Sequence, residues 1–120
     1  MSDNQFRQSK IEQTLLTMTR AGQFGGAVVA SIDGLPLAMV GRADTEMIAA
    51  VAASMKDLAE RAHRGLNEIS LRDANGNLIV SRYFQVDDDM LLLAVQVPTH
   101  RPYRRLTNKA IHSIRQVWHY

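Results

Sequence analysis

The spacing of apolar residues changes several times along the chain, and each change predicts a new secondary-structure element. Apolar positions three or four residues apart predict helices at 10–22 and 45–65, and a third such pattern runs from Pro102 to Val117. Short apolar or alternating runs between these helices predict five strands, at 27–32, 37–40, 68–72, 78–84 and 90–97. The predicted element order is therefore αββαβββα.

Capping residues set the ends of the first helix. Ser9 and Glu12 have the spacing of a capping box, in which each side chain bonds to the other's backbone N–H. Gly22 supplies the end of the helix. Residues 1–8 are then expected to form a flexible N-terminal tail.

Turn residues support the remaining boundaries. Asp33-Gly34 tolerates the positive φ of a tight hairpin turn, and the run 73–76 favours a second turn of this kind. The Asp44 side chain can accept hydrogen bonds from the free N–H groups that begin the second helix. Pro102 suits the first turn of the last helix, because its missing N–H would have no partner there.

The strand chemistry predicts how these elements stack. Runs 27–32 and 90–97 are apolar on both faces, which is typical of central strands covered from each side, whereas 68–72 has one polar face and is expected at an edge. Helices must then lie on both faces of the sheet. Since the chain has no internal repeat or linker-like segment, we expect a single domain over 1–120 with a three-layer α-β-α sandwich.

The second helix carries small or apolar residues around most of its circumference. One side can pack on the sheet, so another surface must cover the opposite side. One stripe is expected to pack on the sheet: Ile48, Val51, Met55, Leu58 and Ala62. The other surface holds small residues that would let another helix approach closely: Ala49, Ala50, Ala53 and Ser54. Self-association explains this surface. The alternatives are that alanine reflects helix propensity or that another part of the chain covers it.

Composition limits the classes of protein that fit. The 120 residues are 46% hydrophobic and 22% charged and contain no cysteine, so the chain suits a globular domain without disulfides or thiolate metal sites. The N-terminal residues lack a signal-peptide core, and no apolar run reaches the roughly 18 residues that would span a bilayer. We expect a cytoplasmic protein.

Basic charge is concentrated at the C-terminal end, where residues 98–120 hold five Lys or Arg and no acid. On a helix the basic side chains fall in an arc of about 140°, formed by Arg101, Arg104, Arg105, Lys109, His112, Arg115 and His119. This arc could dock an acidic partner, nucleic acid or an anionic membrane. The alternative is a solvated face near the negative end of the helix dipole. Nucleic acid is not expected, since no aromatic residues are interleaved with the basic ones.

No motif for catalysis, metal or nucleotide binding emerges. His112 and His119 lie about 10 Å apart along a helix, too far to share one zinc ion. The run 87–89 lacks the spaced acids of a calcium loop, and the glycines at 22, 25 and 26 are not followed by the Lys-Ser/Thr of a phosphate loop. We therefore expect a non-enzyme without cofactor.

Three segments carry a family resemblance. Residues 25–38 read Gly-Gly-Ala-Val-Val-Ala-Ser-Ile-Asp-Gly-Leu-Pro-Leu-Ala, the second helix is alanine-rich, and 75–80 read Asn-Gly-Asn-Leu-Ile-Val. Together they resemble the roadblock (dynein light chain) family, in particular its bacterial MglB-like members. The resemblance implies a five-stranded antiparallel sheet with the first and third helices on one face and the second on the other.

The resemblance also implies a function. It predicts a homodimeric adaptor or regulator that binds a small Ras-like GTPase. Such a regulator can stimulate GTP hydrolysis by ordering the GTPase's own catalytic residues, without a catalytic group of its own. The alternative is a scaffold subunit of a larger complex without GTPase contact. An arginine finger could be sought at Arg42, Arg61 or Arg64, but no motif singles one out.

Two sets of residues follow from the family's dimer and partner surfaces. The dimer interface is expected at Ala49, Ala50, Ala53, Ser54, Asp57, Ile69 and Leu71. The partner-binding surface is expected at Lys56, Glu60, Arg61 and Arg64, free to meet the GTPase. The alternative is that these four residues form an ordinary solvated helix end.

Overall fold

The computed structural model describes the backbone of residues 3–118 and the side chains of residues 5–118. Its elements occur in the predicted order. They are α1 Asp3–Gly22, β1 Gly26–Ser31, β2 Pro36–Gly41, α2 Thr45–Glu60, β3 Glu68–Arg72, β4 Leu78–Val86, β5 Asp89–Val97 and α3 Arg104–Val117. The five strands form one antiparallel sheet in the order β2-β1-β5-β4-β3.

The two strands that are apolar on both faces lie inside the sheet, as predicted. β1 and β5 are neighbours, with Val28 opposite Ala94 and Val29 opposite Leu93. All four side chains are inaccessible to solvent, because each face of these strands is covered by a helix layer. β3 lies at one edge of the sheet, which confirms the interpretation of its polar face.

The helices cover the sheet as the family resemblance implies. α1 and α3 pack together on one face, where Leu15 and Ile114 meet Val29 and other side chains of the sheet. α2 covers the other face over a smaller core that includes Val28 and Leu92. The Tyr83 hydroxyl donates to the carbonyl of Ala52 at 2.7 Å and so ties α2 to β4. The predicted three-layer sandwich is confirmed.

The start of α1 differs from the prediction. The helix begins at Asp3 rather than near residue 10, so the expected tail is helical from that residue onward, and residues 1 and 2 lie outside the described part. Ser9 lies within the helix and is not its cap, while Glu12 accepts a hydrogen bond from Gln8. The early turns are held by tertiary contacts: the Arg7 guanidinium lies 4.2 Å from the ring of Trp118 and donates to its carbonyl.

Two further helix boundaries need correction, whereas the start of α2 is confirmed. The Asp44 side chain accepts from the N–H of Met47 at 3.2 Å, as expected of an N-cap. α2 ends at Glu60 rather than at residue 65. α3 begins at Arg104, so Pro102 precedes the helix instead of standing in its first turn.

Candidate protein-interaction surfaces

Two of the four small residues of α2 that were expected to face outward lie against the chain's own sheet instead. Ala49 is fully buried and Ala53 is 9% exposed, both in the core beneath α2. A Cβ placed on Gly34, in the β1–β2 turn, would lie only 3.3 Å from the Ala53 Cβ. Small side chains therefore let the turn approach α2 closely, as the same-chain alternative proposed. Ala49 and Ala53 are not available to a second copy.

Three residues of the stripe expected on the sheet are exposed instead. Val51 and Leu58 are 38% and 64% exposed, and Ala62 is exposed as well, whereas Ile48 packs against the core. Met47, which was not assigned to the stripe, is 59% exposed. Met47, Val51, Ser54 and Leu58 lie at i, i+4, i+7 and i+11, which places them on one face of the helix. We call these four residues the α2 strip. Ala50 and Asp57, which belong to the predicted dimer interface, flank it and are exposed.

A shallow groove separates α2 from the edge of the sheet. Its volume is about 100 Å³, and its lining is almost entirely apolar: Met47, Ile48, Val51, Ala52, Met55, Leu71, Ile79 and Ser81. Leu71 of β3 is 43% exposed, while Ile69 is half-buried. The α2 strip and the β3 edge therefore form one continuous apolar surface.

The outer edge of β3 has no neighbouring strand among the described residues, although β3 itself is firmly held. Its first residue, Glu68, binds Arg82 Nε at 3.3 Å, Arg104 at 3.2 Å and the Tyr103 hydroxyl at 3.0 Å. A strand edge without a neighbour presents backbone groups that another strand can pair with.

Two of the four predicted partner-binding residues are already engaged within the chain. Lys56 Nζ binds the Glu60 carboxylate and donates to the carbonyl of Leu66 at 2.8 Å, while Glu60 accepts from the N–H of Gly65. The bond to Lys56 is the main reason that the pKa of Glu60 lies below its ordinary value. Lys56 and Glu60 therefore hold the turn after α2, and the prediction that they are free is wrong.

The other two residues of the predicted partner-binding set are accessible. Arg61 lies 4.0 Å from Asp57, and both side chains are largely in solvent, so this pair contributes little to stability. Arg64 is also exposed. Arg61 is the C-cap of α2, and Arg64 lies in the turn that follows.

The basic arc of α3 is less free than the sequence suggests. Three of its arginines are held elsewhere in the chain: Arg101 by Gln23, Arg104 by Glu68 and Arg115 by the carbonyl of Gln85. Arg105, Lys109 and His112 remain exposed, and His119 lies outside the described residues. Sequence reasoning missed these bonds because each joins residues far apart in the chain.

The described part of the chain holds no acid–histidine cluster suited to a metal. No group of three or more His, Asp or Glu among residues 5–118 could hold an ion. Asp73 serves a turn, since its carboxylate accepts from the backbone N–H groups of Asn77 and Asn75 at 2.9 Å, and these bonds lower its pKa. No helix within residues 3–118 is long and apolar enough to cross a membrane.

The described residues thus form a layered domain with an exposed apolar helix face beside a sheet edge that pairs with no other strand among them. The sequence profile of the Roadblock/LC7 domain family matches residues 10–95, and the chain belongs to this family. This confirms the resemblance seen in the hairpin and the alanine-rich helix.

Solved structures with the same fold come from several bacteria. A Roadblock/LC7 domain from Streptomyces avermitilis is 16% identical with a TM-score of 0.71, covering 91% of this chain and 95% of that one. The gliding protein MglB of Thermus thermophilus is 10% identical with a TM-score of 0.78, covering 92% and 90%. MglB of Myxococcus xanthus is 16% identical with a TM-score of 0.74, and the match covers 92% of this chain and 89% of that one. At these identities the likeness shows the fold. No curated protein sequence matches the chain.

Proposed function

We propose that the protein is a non-enzymatic homodimeric adaptor that binds a small Ras-like GTPase. The observation that carries this proposal is the continuous apolar surface made by the α2 strip and the free edge of β3. Three large apolar side chains of the strip lie in solvent in the single chain. An exposed apolar patch beside an unpaired strand is typical of a protein–protein interface.

A second copy of the chain fits this surface in two ways at once. A two-fold axis would bring strip against strip and β3 against β3, so that one patch serves both copies. The paired edges would join two five-stranded sheets, and the antiparallel helices would cover Met47, Val51 and Leu58. A solved MglB with a tetrameric arrangement has the same fold at a TM-score of 0.75, which supports self-association in this fold.

The GTPase would meet the dimer near the ends of the paired α2 helices. Arg61 and Arg64 are exposed there and are available to polar groups of the switch loops. Switch loops are ordered by the γ-phosphate and released on hydrolysis, so an adaptor that contacts them binds the GTP form more tightly. Since the sequence offers no catalytic motif of its own, any stimulation of hydrolysis would act by ordering the GTPase's residues.

Titration of a Ras-like GTPase from the same organism tests this function. The GTPase is loaded with GDP or with a non-hydrolysable GTP analogue, and its affinity for the dimer is measured by calorimetry. We expect tighter binding of the GTP form and a loss of at least tenfold in Arg61→Glu/Arg64→Glu. The matched control is Arg105→Glu/Lys109→Glu, which makes the same charge change on α3.

Each alternative predicts a different result. Equal affinity for both nucleotide states would contradict the contact with the switch loops. Unchanged affinity in Arg61→Glu/Arg64→Glu would remove this end of α2 from the interface. No binding of any GTPase would leave the scaffold function, without GTPase contact, as the better account. Phosphate release measured in the same mixtures decides whether the adaptor also stimulates hydrolysis.

A further inference from the structure

A second groove lies on the face of the sheet opposite α2, between the antiparallel helices α1 and α3. Its volume is about 260 Å³, and it runs beside α1 from Lys10 to Ala21. At 1.5 Å per residue this is a length of about 16 Å, or three helical turns. The dimer surface and this groove therefore face in opposite directions.

The groove exists because short side chains line the junction of the two helices. α1 contributes Thr14, Thr17 and Ala21, and α3 contributes Ala110 and Ser113. The hydroxyls of Thr14 and Thr17 donate to the carbonyls of Lys10 and Gln13 in their own helix, each at 3.0 Å. Neither hydroxyl needs a bound partner, so the groove is suited to apolar groups.

The floor is apolar and recessed. Met18 and Ala110 are buried, while Leu106 and Val117 are half-buried at the bottom of the groove. A ligand must therefore insert its own apolar groups between the helices.

Both rims of the groove are basic. Lys10 stands on the α1 side and Lys109 on the α3 side, and no carboxylate of the described residues lines the groove. Glu12 of α1 lies about 160° around the helix from Lys10, at 100° per residue, and accepts a hydrogen bond from Gln8. Arg105 adds a further exposed positive charge on the α3 side.

We propose that the α1–α3 groove binds an amphipathic helix of a partner protein, with an apolar stripe flanked by Asp and Glu. Helices of this kind dock in grooves through apolar residues at i, i+3 or i+4, and i+7. Three turns of groove match such a stripe in length. The two lysine rims match acidic flanks, and complementary charges of this kind steer the partner and fix its register.

Other ligand classes fit this groove less well. Small-molecule pockets usually enclose about 300–1,000 Å³ and bury most of the ligand's surface, whereas this groove is smaller and open. A membrane surface requires apolar side chains that protrude into the lipid, but the apolar residues here lie below charged rims. The proposal does not depend on dimerisation or GTPase binding, because the groove lies on the opposite face of the sheet from α2.

A displayed library of 16-residue helical peptides tests the proposal on the full chain. Four stripe positions vary among apolar residues, and the flanking positions vary among Glu, Lys, Gln and Ser. Selection on the wild-type protein should enrich Glu at the flanks. The enriched peptides, labelled with fluorescein, are then titrated with protein variants by anisotropy.

We expect three variants to weaken binding at least tenfold. Thr17→Trp and Ser113→Trp each fill the groove, and Lys10→Glu/Lys109→Glu reverses the charge of its rims. The matched control, Arg61→Glu/Arg64→Glu, makes the same charge change beyond α2 and should bind as the wild type does. Thermal melts establish that each variant is folded; two separate groove-filling variants are used so that one remains informative if the other unfolds.

Three outcomes would overturn the proposal. One is that no enriched peptide emerges or that Lys replaces Glu at the flanks. Another is that the enriched peptides bind the groove-filled, folded variants as tightly as the wild type. The last is that phosphatidylglycerol vesicles, unlike phosphatidylcholine vesicles, bind the wild type and displace the peptide, which would assign the groove to an anionic membrane.

Discussion

Substitution of Val51 by Arg is the sharpest test of the proposed dimer. Full burial of a side chain such as Val, Leu or Met contributes about 1.5–3 kcal/mol. Scaled by the exposed fractions of Met47, Val51, Leu58 and Leu71, covering this surface contributes about 3–6 kcal/mol per protomer. A symmetric dimer gains about twice that amount, while association costs about 4–15 kcal/mol. The net free energy of association is therefore small, so one unfavourable residue in the interface decides whether the protein is a dimer or a monomer.

In the proposed symmetric dimer, Val51→Arg changes both copies of the interface residue, one on each side of the two-fold axis. It removes about 1 kcal/mol of apolar burial from each protomer and places two unpaired charges in the interface, each costing several kcal/mol. We expect the dimer dissociation constant to rise at least a thousandfold, which corresponds to about 4 kcal/mol. The single chain should still fold, because Val51 is 38% exposed in it and Arg is a good helix former.

Sedimentation equilibrium at micromolar concentration measures the effect. The control is Met39→Arg on β2, at the opposite edge of the sheet, where the side chain is similarly exposed at 40%. Wild type and Met39→Arg should be dimers, and Val51→Arg should be a folded monomer. A dimer in Val51→Arg would refute the α2 strip as the interface. A monomer in Met39→Arg alone would assign the interface to β2.

The remaining predictions concern the fold. Ala53→Arg should prevent stable folding rather than yield a folded monomer, because it forces a charge into the core beneath α2; circular dichroism and urea melts decide this. Arg105→Glu/Lys109→Glu should shift the free energy of unfolding by no more than about 0.5 kcal/mol, and a larger loss in a thermal melt would mean that these side chains are buried. Asp73→Ala should destabilise at neutral pH. Because the folded pKa of Asp73 is lowered, its contribution is present above the unfolded pKa of about 4 and is lost as pH falls toward the folded value, so the difference from wild type should shrink in urea melts below pH 4.

Much of the fold could be predicted from local patterns. The change between a period of two and a period of three or four residues located every helix and strand among the described residues, because that period follows from backbone geometry. Two-sided apolar runs placed β1 and β5 in the centre, since only covered strands can be apolar on both faces. The Asp44 cap and the positive φ of Gly34 could be predicted from the sequence, because a helix cap and a tight turn each involve only three or four neighbouring residues.

Helix ends that make contacts with distant residues could not be predicted from the local sequence. α1 extends to Asp3, and Arg7 in its early turns packs on Trp118 at the other end of the chain. α2 ends early, and Lys56 and Glu60 bind the turn that follows it. Local patterns such as the Ser9–Glu12 spacing are compatible with a cap, but tertiary contacts determined where the helix begins.

The sequence by itself determined that α2 has two surfaces to cover, because its residues are small or apolar around most of the helix. Only the tertiary structure decided which surface faces the sheet. Burial area favours the large side chains on the sheet, but the residues of α2 that lie buried beside the closely approaching Gly34 turn are the small Ala49 and Ala53. The large residues Met47 and Leu58 are therefore left outside. The close spacing between α2 and the sheet is not encoded in any local sequence pattern. It leaves large apolar side chains exposed, and these form the surface proposed for the dimer.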